Sequence, residues 1–146
     1  MYWKDIFQSV NTEELIFHEA IKEHEIEEIE KKLSLTLSGA LLETLKETNG
    51  IKEKQYGCWL LGNSSEIIEM HRLHCDFLMQ ADAVPPHRFL FFANNGCGEY
   101  FGFKIEDGQT VGSEVGIYYP IDNEFRIVAP DFKTWVVEWH TGLLKT

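Results

Sequence analysis

Three kinds of side chain in this sequence could do chemistry: thiols, imidazoles and closely spaced carboxylates. Cys97 stands in the glycine-flanked run Asn95-Gly96-Cys97-Gly98, where an exposed thiol could serve as a nucleophile with His71, His74, His87 or His140 as its base. No GxSxG elbow accompanies it. His71 and His74, three residues apart, would share a helix face, and with Cys75 they are competent zinc ligands. A closed zinc site needs four ligands, and Cys58 and Cys97 are remote in sequence with no CxxC spacing, so helix histidines beside a core cysteine are the better reading. The glycine run also has the look of a phosphate cradle. The next residues, Tyr100 to Phe103, are strand-like rather than a helix start, and no Walker lysine is present, so a hairpin turn fits better. Glu106 with Asp107 and Asp122 with Glu124 are carboxylate pairs, but acid–base work needs one member buried with a raised pKa, which a surface turn does not provide. No catalytic residue, no metal and no cofactor is assigned on these grounds, and the expectation is a protein that is not an enzyme.

The elements that would position these groups divide by half: helices first, strands second, with a helix at each end. Trp3, Ile6, Phe7 and Val10 form one apolar face of a short helix over Trp3 to Val10. Ile26, Ile29 and Leu33 repeat that spacing over Glu25 to Leu33, with a glutamate-rich solvated face. Ser38 is placed to cap a third helix carrying Leu41, Leu42 and Leu45, which Asn49-Gly50 ends. The second and third helices are close enough in sequence to pack as a hairpin. Tyr56 to Leu61 predicts a short strand, and Ser65 to Met70 an extended piece or a helix start. His71 to Ala81 predicts a helix with Met70, Leu73, Phe77 and Leu78 inward, broken by Val84-Pro85-Pro86. Phe89 to Ala93, Tyr100 to Ile105, Val115 to Tyr119 and Phe125 to Val128 are aromatic and β-branched runs joined by short turns, the pattern of an antiparallel meander. A last helix over Asp131 to His140 carries Phe132, Trp135, Val136 and Trp139, and Gly142 stops it. Core packing of that stripe is expected.

Length and charge bound the function. The 146 residues make one domain, 1–146, with 44% hydrophobic and 25% charged residues, which excludes wholesale disorder. A net charge of −11 with no basic stripe excludes a nucleic-acid binder. Three cysteines without paired spacing argue against a disulfide framework. The start MYWKDIFQSV lacks a signal-peptide core, and no apolar run approaches the ~20 residues of a membrane span, so a soluble cytoplasmic protein without a membrane partner is expected.

Three phrases, "LKETNGI", "FLFFANNGCGEYFGFKI" and "VAPDFKTWVVEWHTG", resemble the SUKH superfamily, named partly for the fungal SMI/KNR regulators of cell-wall synthesis and rich in bacterial members. The matching positions are Ile26 with Glu30, Asn49 with Gly50, Phe89 through Phe103, and Val128 through Trp135, within residues 20 to 141. Leu37-Ser38-Gly39 stands where relatives often carry Leu-Pro, and Lys104 where an acidic residue commonly comes after the glycine strand. The resemblance implies a single α+β domain, an antiparallel sheet meander packed against N-terminal helices and a C-terminal helix, with no shared catalytic residues. It implies a protein-binding role: in many bacterial members an immunity protein neutralising a cognate toxin, often a nuclease, and otherwise a regulator or scaffold in wall or glucan synthesis. Between Glu99 and Asp131 seven acidic residues face only Lys104 and Arg126, so the turns of the sheet are expected to present a negative face. Asp107, Glu114, Asp122 and Glu124 are the expected contacts with a protein partner.

Overall fold

The computed structural model describes residues 2–55, 57–81, 89–106, 110–122 and 124–144, with backbone alone at 74–81, 106 and 110. In order, the elements are α1 (Tyr2–Ser9), β1 (Leu15–Phe17), α2 (Glu23–Leu33), α3 (Gly39–Glu47), β2 (Ile51–Glu53), β3 (Trp59–Leu61), α4 (Ser64–Ala81), β4 (Phe89–Asn94), β5 (Tyr100–Glu106), β6 (Thr110–Tyr119), β7 (Glu124–Ala129) and α5 (Phe132–Thr141). Two antiparallel sheets result, a small one in the order β1-β2-β3 and the expected meander β4-β5-β6-β7. The Gly62 amide donates to the Phe92 carbonyl at 2.8 Å and ties the end of β3 to β4.

The meander has two aromatic faces because its strands alternate large side chains. Phe92, Phe101 and Phe103 face α5, where Trp135 lies 4.9 Å from Phe92 and 5.3 Å from Phe101 between ring centres, and Phe132 meets Phe103 at 6.2 Å. Trp135 is 0% exposed, so the closing helix covers the core as expected. On the other face Phe89, Phe91, Tyr118 and Phe125 stack, with Phe89 and Phe125 only 4.5 Å apart. Gly116 makes room there, since a Cβ on it would overlap the Phe125 ring.

The helix ends are set by their caps. Asp131 accepts the Thr134 amide at 2.7 Å to open α5, and Gly142 closes it at φ +77°. In α2 the Glu25 carboxylate reaches back to the Lys22 amide at 2.9 Å, and Lys31 and Lys32 occupy the last turn, where the helix dipole favours cations.

Several expectations are corrected. Ser38 does precede α3, but its hydroxyl makes no capping bond. The helix ends at Glu47, because Thr48 is extended and its hydroxyl donates to the His18 and Gly50 carbonyls; of the Asn49-Gly50 pair only Gly50 takes a positive φ, +112°. The second and third helices do not form a hairpin: α2 packs on α4, and α3 on α1 and α5. Of the two alternatives for Ser65 to Met70, the helix start is the one found, and it runs on as one long helix, α4, from Ser64 to Ala81. Met70 is buried in it, but Leu73 is 47% exposed. The side chains of Phe77 and Leu78, the Val84-Pro85-Pro86 break and Tyr56 lie outside the described residues. The strands β1 and β2 are not expected from the sequence.

Candidate partner-binding surface

Of the expected contacts, Asp107 lies outside the described residues. Asp122 is exposed in the β6–β7 turn, and Glu124 opens β7 half-buried. Arg126 donates to both Glu124 oxygens, at 2.7 and 3.2 Å, and these bonds hold the Glu124 carboxyl below the usual carboxylate range. The guanidinium also sits 5.5 Å from the Tyr119 ring centre. Glu114 is exposed five positions before the end of β6, roughly 16 Å along a strand rising ~3.3 Å per residue. It belongs to a bulge, since Phe103 pairs with Val115 and Ile105 with Val111, leaving Gly112 to Glu114 opposite Lys104. The structure therefore sets Asp122, in the turn, and Glu124, at the start of β7, both near Arg126, and leaves Glu114 apart on β6. Arg126 thus pairs directly with Glu124 and also feels the charge of Asp122, while Glu114 stands exposed in the bulge.

The nucleophile and metal readings gain little geometry. Cys97 is exposed in the β4–β5 turn, where Asn95 Oδ1 accepts both its amide, at 2.9 Å, and that of Glu99, at 3.3 Å, which is the hairpin expected of the glycine run. His140 is packed against Phe7 and Trp139, and burial lowers its pKa to about 4, unsuited to a base waiting beside an exposed thiol. The side chains of His74 and Cys75, and His87 altogether, lie outside the described residues, and among the described residues no three His, Cys, Asp or Glu side chains converge.

A second polar site is not anticipated by the sequence. It lies where the first turns of α2 and α4 meet, a cavity of about 300 Å³ lined by His18, Glu19, Lys22, Glu25, Asn49 and Asn63. Asn49 organises it. Its Oδ1 accepts the Ser64 amide at 2.9 Å, capping α4, while its Nδ2 donates to Glu25 and Ser64 at 3.3 Å each. The Ser64 hydroxyl donates to the same Glu25 oxygen at 3.3 Å. Gly50 lies so close to Trp59 that a Cβ would come within 2.6 Å of the indole, and His18 stacks on that indole at 5.1 Å and 28°. The Lys52 ammonium sits 4.4 Å from the same ring. The Asn-Gly pair is the local signal for this site, but a helix-ending turn is the simpler explanation of the same two residues. Similarly, Glu30 of the Ile26/Glu30 pair accepts the Leu37 amide at 2.9 Å, a fold-holding role.

Among the described residues, five helices against two antiparallel sheets, one three-stranded and one four-stranded, define an α+β domain. A family model matches residues 20–138, and the chain belongs to the SMI1 / KNR4 family (SUKH-1), within the SUKH superfamily. No curated protein matches it. Among the described residues, no helix is long and apolar enough to cross a membrane.

Proposed function

We propose that this chain is a protein-binding module of the immunity type, which covers the active site or nucleic-acid groove of a cognate toxin domain in the cytoplasm. The carrying observation is charge: the chain bears −11, and Glu114 and Asp122 stand exposed on the strand and turn of the meander. A nuclease presents cations to hold its phosphate substrate, so an acidic inhibitor gains both encounter rate and register by matching them. Family membership supports the reading, as do the buried aromatic interior and capped helices, which give a rigid platform. The test is to read the genes flanking this chain's own and co-express the chain with any toxin domain they encode; flanking genes that encode none contradict the proposal. Cells making both should survive and yield a one-to-one complex by gel filtration. Death despite abundant folded protein contradicts the proposal.

A further inference from the structure

We propose that the outer edge of β7 accepts an extended segment of the protein partner as an added strand of the meander, a segment apolar at its centre and basic at its ends. The inference rests on the binding-module reading and deepens it by naming what the partner presents. β7 ends the strand order β4-β5-β6-β7, so every second residue turns its amide and carbonyl away from β6. Among the described residues, no backbone hydrogen bond reaches β7 from outside its own sheet. The opposite edge is covered: Gly62 donates to the Phe92 carbonyl of β4, and α4 packs on that strand.

Open edges are normally guarded by lysine, proline or a bulge. Glu124 to Ile127 carry none of these: they pair with β6 in unbroken register, and the bulge comes only at Val128. Arg126 is the cation on this stretch, and its guanidinium is held by Glu124 and lies against the Tyr119 ring. Beside it Ile127 is 42% exposed. An added strand satisfies the outward amides and carbonyls and covers Ile127 at once, which a docked helix does not. Charge selects which strand. Asp122 and Glu124 stand at the start of the edge and exposed Glu114 and Asp131 at its end, against Arg126 and the Lys104 ammonium 5.7 Å from the Phe125 ring centre. A second copy of the chain brings its own −11 to that edge, so a basic segment is the better match.

The test is a titration of ¹⁵N-labelled full-length protein with a capped heptapeptide of alternating valine and threonine between two lysines, and with the same peptide carrying glutamates at its ends. The lysine peptide should give saturable shifts along Glu124 to Ile127 and slow hydrogen exchange at alternate amides there, the pattern of strand addition. The glutamate peptide should bind about fivefold or more weakly. Ile127→Lys, at an exposed position, should keep the wild-type melting midpoint and raise the dissociation constant for the lysine peptide about tenfold. Shifts elsewhere only, no alternation, equal binding of both peptides, or no binding overturns the assignment. So does protection of β7 that grows with protein concentration in the absence of peptide, which makes the occupant a second copy. A chain that takes the lysine peptide on β7 yet rescues cells from no flanking toxin overturns the immunity reading instead.

Discussion

His140 sits in the last turn of α5, its ring 5.6 Å from Phe7 and 4.9 Å from Trp139, and its Nε2 is buried without a hydrogen-bond partner among the described residues. Burial lowers its pKa to about 4, whereas the unfolded chain should titrate near the ordinary ~6.5. Between those values the unfolded state takes up a proton that the native state refuses. His140 therefore contributes its full stability above ~6.5 and loses it progressively as pH falls toward 4. Moving from pH 7.5 to 5 should cost about 2 kcal/mol through this residue. Urea unfolding of wild type and His140→Leu at both pH values checks it: the variant should lose less stability by that amount, and equal losses would contradict it. Gly50 makes a second prediction at the same scale. Its φ of +112° and the 2.6 Å approach to Trp59 leave no room for a methyl group, so Gly50→Ala should destabilise by about 1–3 kcal/mol and shift the Trp59–His18 stack. A thermal midpoint at the wild-type value would contradict that.

Among the elements, α5 carries the heaviest packing. Trp135 touches Phe92, Phe101 and Phe132, so Trp135→Ala should cost about 3–5 kcal/mol and lower the melting midpoint by roughly 10 °C or more. A variant that melts like wild type but no longer binds would make this helix an interface instead. That α5 and the meander are legible in the sequence comes from their chemistry. Aromatic strands with Asn-Gly or Asp-Gly separators, and a tryptophan stripe flanked by Asp131 and Gly142, carry their own period and punctuation. β1 and β2 carry neither. Each is three residues long, too short to show alternation, and their pairing of Leu15 with Glu53 spans a loop and two helices. The expected hairpin of α2 and α3 fails for a related reason: connection length limits which helices can touch, but the apolar stripe of α2 finds α4 from farther along the chain. The Glu25–Asn49–Ser64 cluster is invisible in the sequence because its members come from three segments, each with an ordinary local explanation.

For the whole molecule, the central claim is that a charge of −11 serves recognition rather than only solubility. Exposed carboxylates act mainly on encounter, so their effect belongs in the association rate and must fade with salt, as screening shortens from ~10 Å at 0.1 M toward ~3 Å at 1 M. Glu124 should contribute least among the described contacts, being matched by Arg126. The most direct measurement is the stopped-flow association rate with a toxin domain that the chain neutralises on co-expression, across a salt series, comparing wild type with a variant reversing Asp107, Glu114, Asp122 and Glu124 to lysine. We expect the wild-type rate to fall steeply with salt and the variant to be about tenfold slower or more at low salt, the two converging near 1 M. Equal rates at every salt concentration would contradict the account.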